Sequence, residues 1–348
     1  VSQYVTLALD AMGGDVGPSV TIPAALQALE KHSELNLRAF GRQEAMRSVL
    51  DSIASKYTSA VRERLTLVDA PEVVEMGEAP AHALRTKRHS SMRLAINAVK
   101  EGEALGMVSA GNTGALMAIS KFVLKTLPGV SRPAIITTIP SAKGHFYMLD
   151  LGANVDCDAE LLYKFAVMGS AVVGLMEGKA QPRVGLLNIG QEAIKGNDQV
   201  KQTDALLSAS DRLNYIGYVE GDSIFDGAVD VVVCDGFVGN VALKSIEGVA
   251  KLIKGFVADA VGRSWGLRLA ALIGLPFSGS LKKRLDPRQY NGAALVGLKG
   301  CVVKSHGGTD ERGLSRAISV AFDQSRLELP KLIAERMATD DSLELLSS

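Results

Sequence analysis

The sequence is poor in cysteine: Cys157, Cys234 and Cys301 are three among 348 residues and show no Cys-x-x-Cys spacing. An odd, scattered set supplies neither a disulfide framework nor a zinc site, and it fits a reducing cytoplasm. Net charge is also lacking, since 38 basic residues balance 38 acidic ones. Without a global field there is no general attraction for nucleic acid or an anionic membrane, so a charged partner must be met by a local patch. Long hydrophobic runs are missing too. Val1 to Asp10 has no basic start followed by an apolar core, which argues against a secretion signal. The charge-free stretch Leu269 to Leu281 is broken by Gly274, Pro276 and Gly279 and falls short of the roughly 20 residues that span a bilayer.

Several nucleotide and hydrolase signatures are absent. No Gly-x-Gly-x-x-Gly opens the first βα unit, which argues against a dinucleotide site of the usual kind. The chain has no Gly-x-x-x-x-Gly-Lys-[Ser/Thr], His-Glu-x-x-His or Gly-x-Ser-x-Gly, so a P-loop kinase, a zincin and an α/β-hydrolase are set aside. A covalent serine mechanism has no support.

What is present is the pattern of a globular α/β protein. Hydrophobic residues make up 47% against 22% charged, enough apolar surface to bury a sizeable core. Short β-branched runs alternate with longer helical patterns. Strands are predicted over 4–9, 35–40, 65–68, 107–109, 134–139, 146–149, 184–188, 215–219, 229–234 and 301–304, with helices over 83–100, 115–127, 159–176 and 241–257. This order predicts βα units around a mostly parallel sheet. No proline- or serine-rich linker divides the chain, so residues 1–335 read as one unit with two lobes sharing the sheet. Residues 336–348 form a tail. Residues 255–290 look like an excursion: Leu272, Ile273, Leu275 and Phe277 are flanked by Arg263, Arg268 and Lys282 to Arg284. Apolar residues framed by bases suit a lipid interface, and a dimer contact or core helix is the competing reading.

Six glycine-rich polar loops each follow a predicted strand: Asp10 to Asp15, Ser109 to Gly114, Asp150 to Asn154, Asn188 to Gly190, Asp235 to Asn240, and Ser305 to Gly308. Loops at the carboxyl ends of strands line the crevice of an open α/β sheet, so the six are expected to converge on one site. Glycine allows close backbone approach and the helix that follows offers free N–H groups, which makes an anion such as phosphate the natural ligand. Ser109 to Ala115 and Cys234 to Ala242 share the order strand, Gly-x-x-Gly, helix, as though one cradle were built twice.

These residues, with Ser90-Ser-Met92, Lys195-Gly-Asn197 and Lys304-Ser-His-Gly307, resemble the bacterial phosphate acyltransferases that use acyl carrier protein, in order from about Thr6 to about Leu329. The resemblance implies a three-layer α/β sandwich like isocitrate and isopropylmalate dehydrogenases and related to phosphate acetyltransferases. It also implies a homodimer at the inner face of the cell membrane, passing acyl phosphate to a membrane acyltransferase. The implied reaction is acyl-carrier-protein thioester plus inorganic phosphate giving acyl phosphate, the entry step of phospholipid synthesis. No metal or cofactor is called for. Lys195 and Asn240 fall on the family's key active-site positions. Val238 stands where many relatives carry threonine.

In chemical terms, Lys195 would hold phosphate as a point charge, and Asn240 would donate its amide to the oxyanion or act as a helix cap. Asp10, Gly13, Gly14, Ser109, Gly111, Asn112, Thr113, Gly114, Asp150, Asn154, Asp235, Gly236 and Gly239 are candidate phosphate- and substrate-positioning residues, with turn and cap roles as the alternative. His306 is a candidate proton donor to the departing thiolate. The apolar neighbours of Cys301 make it a structural thiol rather than a nucleophile. Arg85, Lys87, Arg88 and Arg93 form a basic stretch that suits acidic carrier helices or an ordinary solvated face. The competing functions are a coenzyme A-dependent phosphate acetyltransferase-like enzyme, an oxidoreductase on a similar fold, and a non-enzymatic membrane scaffold.

Overall fold

The computed structural model describes residues 4–263 and 286–338. All ten predicted strand segments form strands: β1 (Val5–Asp10), β2 (Leu35–Gly41), β3 (Leu65–Asp69), β4 (Gly106–Ser109), β5 (Ala134–Ser141), β6 (Gly144–Leu149), β7 (Arg183–Leu187), β8 (Asn214–Val219), β9 (Val231–Val233) and β11 (Cys301–Lys304). A further strand, β10 (Ala293–Val296), lies in a stretch whose sequence pattern does not mark it. The helices are α1 (Pro18–Lys31), α2 (Gln43–Ile53), α3 (Ser59–Arg62), α4 (Pro80–Thr86), α5 (Ser91–Lys100), α6 (Thr113–Leu124), α7 (Ala159–Glu177), α8 (Asp198–Ser208), α9 (Gly236–Arg263), α10 (Glu311–Arg326) and α11 (Leu329–Ala338).

The strands form one sheet in the order β3-β2-β1-β4-β11-β10-β5-β6-β9-β7-β8. Because successive side chains on a strand point to opposite faces, one strand feeds two cores. Met107 and Val302 pack with α5 and α6, while their neighbours Val108 and Val303 pack with α1 and α10. In the other half, Val184, Val231 and Val233 pack against α7 and α11, and Val232 faces the layer that contains α9. Helices therefore cover both faces, giving the expected three layers. α7 is apolar and long enough by composition to cross a bilayer, but its buried residues place it in the core under the sheet.

Two local differences from the sequence reading have identifiable causes. The helix expected over 83–100 is two helices, because the Ser90 hydroxyl accepts the Arg93 N–H and caps a new start. α9 begins at Gly236 rather than at 241. The predicted excursion over 255–290 lies largely outside the described residues. Residues 255–263 complete α9, and Pro287–Tyr290 form a 3-10 turn.

The sheet is mostly parallel, as expected, but it contains a reversal. β11 pairs in parallel with β4, β10 runs antiparallel to both β11 and β5, and β6 runs antiparallel to β5. β6, β9, β7 and β8 are then parallel to one another. The carboxyl ends of β1, β4 and β11 consequently point to one edge of the sheet, and those of β6, β9 and β7 to the opposite edge.

Candidate active site

The six loops gather at strand ends of both directions. Five of them form two hydrogen-bonded clusters, which α9 joins, and the segment from Asn188 to Asn197 borders the second across a shared recess. In both clusters, a buried carboxylate pins neighbouring loops together.

The first cluster is built on Asp10. Its two oxygens accept the hydroxyls of Ser91 and Ser109, each at 2.6 Å, and the Gly111 N–H turns back onto the Ser109 hydroxyl. Burial pushes the Asp10 carboxyl up from its ordinary range, although Ser109, Ser91 and the Met12 and Gly13 N–H groups pull it down. A Cβ at Gly13 would lie 2.7 Å from an Asp10 oxygen, so only glycine closes this loop. Gly14 has φ +92° and lies against the Gly307 carbonyl, which also accepts the Asp15 N–H. Asn112 is spent on structure: Oδ1 accepts the Ala115 N–H and caps α6, while Nδ2 reaches the carbonyls of Glu75, Met76 and Glu78. Thr113 and Gly114, in the first turn of α6, are exposed.

The second cluster is built on Asp150. Its oxygens accept the N–H groups of Ile135, Ala153 and Asn154 and the side-chain amide of Asn154. Asp150 is wholly buried, and burial raises its pKa against those hydrogen bonds. α9 then lands on this loop. A Cβ at Gly239 would lie 1.9 Å from the Asp150 carbonyl oxygen and one at Gly236 2.6 Å from that of Asn154. These glycines are required by close approach rather than by positive φ. Gly236 donates its N–H to Asn154, Gly239 donates to the Asp235 carbonyl, and the Asp235 carboxylate accepts the Val238 N–H. Asp235, not Asn240, is therefore the cap, and the Gly236 and Gly239 N–H groups are engaged within the protein.

With the Gly236, Val238 and Gly239 N–H groups engaged, two exposed polar side chains stand out here. Asn240 is exposed and lies over Gly152, whose φ of +112° keeps that position open. Lys195 is exposed and its stem crosses Gly190. Its loop is folded by Asn188, which accepts the Ile189 N–H and donates to the Lys195 carbonyl. The two segments, with residues 155–157, border an open recess of about 330 Å³ lined by Val155, Cys157, Asn197, Asp235, Phe237 and Val238, among others.

α9 connects this edge to His306. Lys244 and Glu247, one and two turns beyond Asn240, are charges that act on His306. The Gly308 N–H donates to His306 Nδ1, so the neutral ring carries its proton on Nε2. Burial, and then the Lys244 cation, lower the His306 pKa. The ring thus offers a neutral N–H donor rather than an imidazolium acid. The cysteines are poor nucleophiles: burial pushes Cys157 up to about 12, Cys301 up to about 11, and Cys234 well above its usual value.

Sequence reasoning passed over Lys304. It is buried at the end of β11, donating to the carbonyls of Ser305 and Ala110, and so ties two loops of the Asp10 cluster together. Burial lowers its pKa to about 8, although the Asp10 charge raises it. A lysine between Val303 and Ser305 carries no local sign of burial. Among the described residues, no three His, Cys, Asp or Glu side chains gather as a metal site.

The profile of a family described as fatty acid synthesis protein matches residues 5–331. The chain is 56% identical to the phosphate acyltransferase of Alkalilimnicola ehrlichii over 337 residues, 97% of each chain. It is 54% identical to that of Alcanivorax borkumensis over 333 residues, 96% of this chain and 97% of the other. The fold is similar to a phosphotransacetylase of Streptococcus pyogenes, with a TM-score of 0.61 over 94% of this chain and 95% of the other. A phosphotransacetylase of Staphylococcus aureus gives 0.59 over 95% of each. Both are 16% identical, a likeness of fold alone.

Proposed function

The chain belongs to the phosphate acyltransferases of the fatty acid synthesis protein family, and from that premise we propose that it transfers an acyl group from acyl carrier protein to inorganic phosphate. Phosphate oxygen attacks the thioester carbon, the tetrahedral oxyanion collapses, and the C–S bond breaks to release the carrier thiolate and acyl phosphate. Phosphate is already an anion near neutral pH and a thiol has a pKa of about 8.5, so the step needs positioning and charge stabilisation more than a strong base or acid. The observation that carries the reading is the exposure of Lys195 and Asn240 beside the Asp150 cluster, where the Gly236, Val238 and Gly239 N–H groups are engaged within the protein.

Lys195 supplies the point charge that holds phosphate, and Asn240 donates its amide where negative charge develops on the thioester oxygen. His306 Nε2–H serves as a neutral donor to the same oxygen or to the departing sulfur. Asp10, Asp150, Asn112, Asn154 and the glycines Gly13, Gly14, Gly111, Gly236 and Gly239 position the loops. Ser109 and Asp235 hold them in register, and Thr113 and Gly114 leave the start of α6 open to an anion.

The same reading makes this the entry step of phospholipid synthesis. The enzyme then works as a homodimer at the inner membrane face, handing acyl phosphate to a membrane acyltransferase. An exposed apolar face on α9, with Val249, Leu252 and Phe256, supports a second copy as its cover.

The test offers a long acyl group on carrier protein and on coenzyme A, with and without phosphate. Thiol release and hydroxamate-trapped acyl phosphate are followed together. The expected result is phosphate-dependent release with a carrier-protein preference. Thiol release without phosphate would make the protein a thioesterase, and equal use of both donors would move it toward the coenzyme A-dependent enzymes.

A further inference from the structure

Although acids and bases balance over the chain, they are not evenly placed. There is no aspartate or glutamate from Ala79 to Lys100, and none from Ala104 to Leu149. The fold brings these two acid-free stretches together, because α4 and α5 both pack on α6 in the layer over β1 and β4. Three neighbouring helices, two of them packed on the third, thus contain no carboxylate.

Their outward side chains are cationic. Arg85, Arg88, Lys121 and Lys125 are exposed, and Lys87 and Arg93 are half-buried. Among the described residues, none of these six forms an ion pair. Phe122 stands among them, 54% exposed, with the Arg93 guanidinium 5.4 Å and the Lys125 ammonium 4.9 Å from its ring centroid. Three of the cations are set in place by hydrogen bonds. Arg85 Nε donates to the Ala81 carbonyl, Arg88 Nε to the Arg85 carbonyl and Arg93 Nε to Asn97 Oδ1. Burial, and then the nearby Arg88 charge, lower the Arg93 pKa.

We propose that this face docks an acidic protein surface, that of the carrier protein which delivers the acyl group, a proposal that rests on the carrier-protein reading above. Unneutralised cations on a rigid helical layer accelerate encounter with a surface of opposite sign, and one exposed aromatic supplies the anchor. The face adjoins the Asp10 cluster, whose Gly14 lies against the Gly307 carbonyl beside His306, the donor proposed above. α6 starts at the glycine loop capped by Asn112, where Pro80 of α4 lies against Gly114. Lys121 stands eight residues further on, about 12 Å along the helix axis, a span for a donor carried on a flexible arm. A lipid surface fits less well. Phe122 is the one large apolar side chain exposed on the three helices, its ring is occupied by cations, and interfacial helices insert several apolar residues.

The test combines Arg85→Glu with Lys121→Glu and offers one acyl group on carrier protein and on N-acetylcysteamine. Binding of carrier protein without acyl group is measured by calorimetry, and binding to phosphatidylglycerol vesicles by sedimentation. The KM for the carrier-borne donor should rise about 10-fold or more at low salt, with kcat and the small-donor kinetics unchanged and calorimetric binding lost. Phe122→Ala should raise the same KM several-fold, and Arg85→Gln with Lys121→Gln should give an intermediate shift at parental melting temperature. Unchanged carrier binding and KM, or an equal fall with both donors, overturns the proposal. Loss of vesicle binding with an unchanged carrier KM also overturns it, making the face a membrane contact. If the parent binds carrier protein through these residues yet transfers no acyl group to phosphate, docking stands and the reaction reading fails.

Discussion

Asp10 and Asp150 do one mechanical job in two settings. Each is buried at a strand end, each accepts hydrogen bonds from the loops around it, and burial raises the pKa of each. Around Asp10 two polar neighbours are buried as well, since Asn112 is consumed by four backbone partners and Lys304 points into loop carbonyls, while Thr113 and His306 are exposed. Around Asp150 the next groups out, Asn240 and Lys195, are exposed. A buried acid beside glycines is thus not itself the reactive group. It holds the loops still, and in the proposed reaction the chemistry falls to exposed side chains beside it.

The sharpest test of this contrast is stability. Asp150→Ala strands four donors, three of them backbone N–H groups that cannot turn elsewhere. It should cost about 4 kcal/mol or more. Asp10→Ala strands two hydroxyls, which rotate to new acceptors, removes the weaker Met12 and Gly13 N–H contacts, and should cost about 2–3 kcal/mol. Denaturant unfolding of both variants checks the order, and a larger loss at Asp10 would break the comparison.

The two asparagines separate structure from catalysis. Asn240→Ala should lower kcat by about 10²-fold with little change in donor KM, because an oxyanion donor acts only in the transition state. Asn112→Ala should instead lower the melting temperature and leave kcat of the folded protein near parental, since it removes a cap and buried amide contacts. Steady-state kinetics beside thermal melts distinguish them. A catalytic defect at Asn112 with parental melting would reverse the assignment.

The smallest effects come from the two lysines. Lys195→Ala should raise the phosphate KM by about 10-fold through loss of one charge-assisted contact, measured at varied phosphate. At Lys304 the effect is on stability and depends on pH. Its folded pKa of about 8 lies below the unfolded value of 10.5, so between these the unfolded chain binds more protons. The cost of burying the ammonium is therefore fully present below pH 8 and fades toward pH 10.5. Relative to Lys304→Met, the parent should gain on the order of 1 kcal/mol between pH 7.5 and pH 10. A flat difference would mean that the ammonium is not buried.

The amino-acid sequence by itself determined most of the strands and the family. β-branched runs, caps and glycines act through neighbours a few residues away, so ten strands and the six polar loops were legible, and their spacing carried the family resemblance. Tertiary structure decided what each loop faces. The β5–β6 pairing reverses strand direction between the two halves of the sheet, and the unmarked strand β10 inserts antiparallel between β11 and β5. Gly239 is required by the Asp150 carbonyl, and Ser109 is held by Asp10 across 99 positions. Lys304 is buried only because β11 enters the sheet beside β4. Strand direction and burial depend on contacts between distant segments, and no local pattern of residues encodes them.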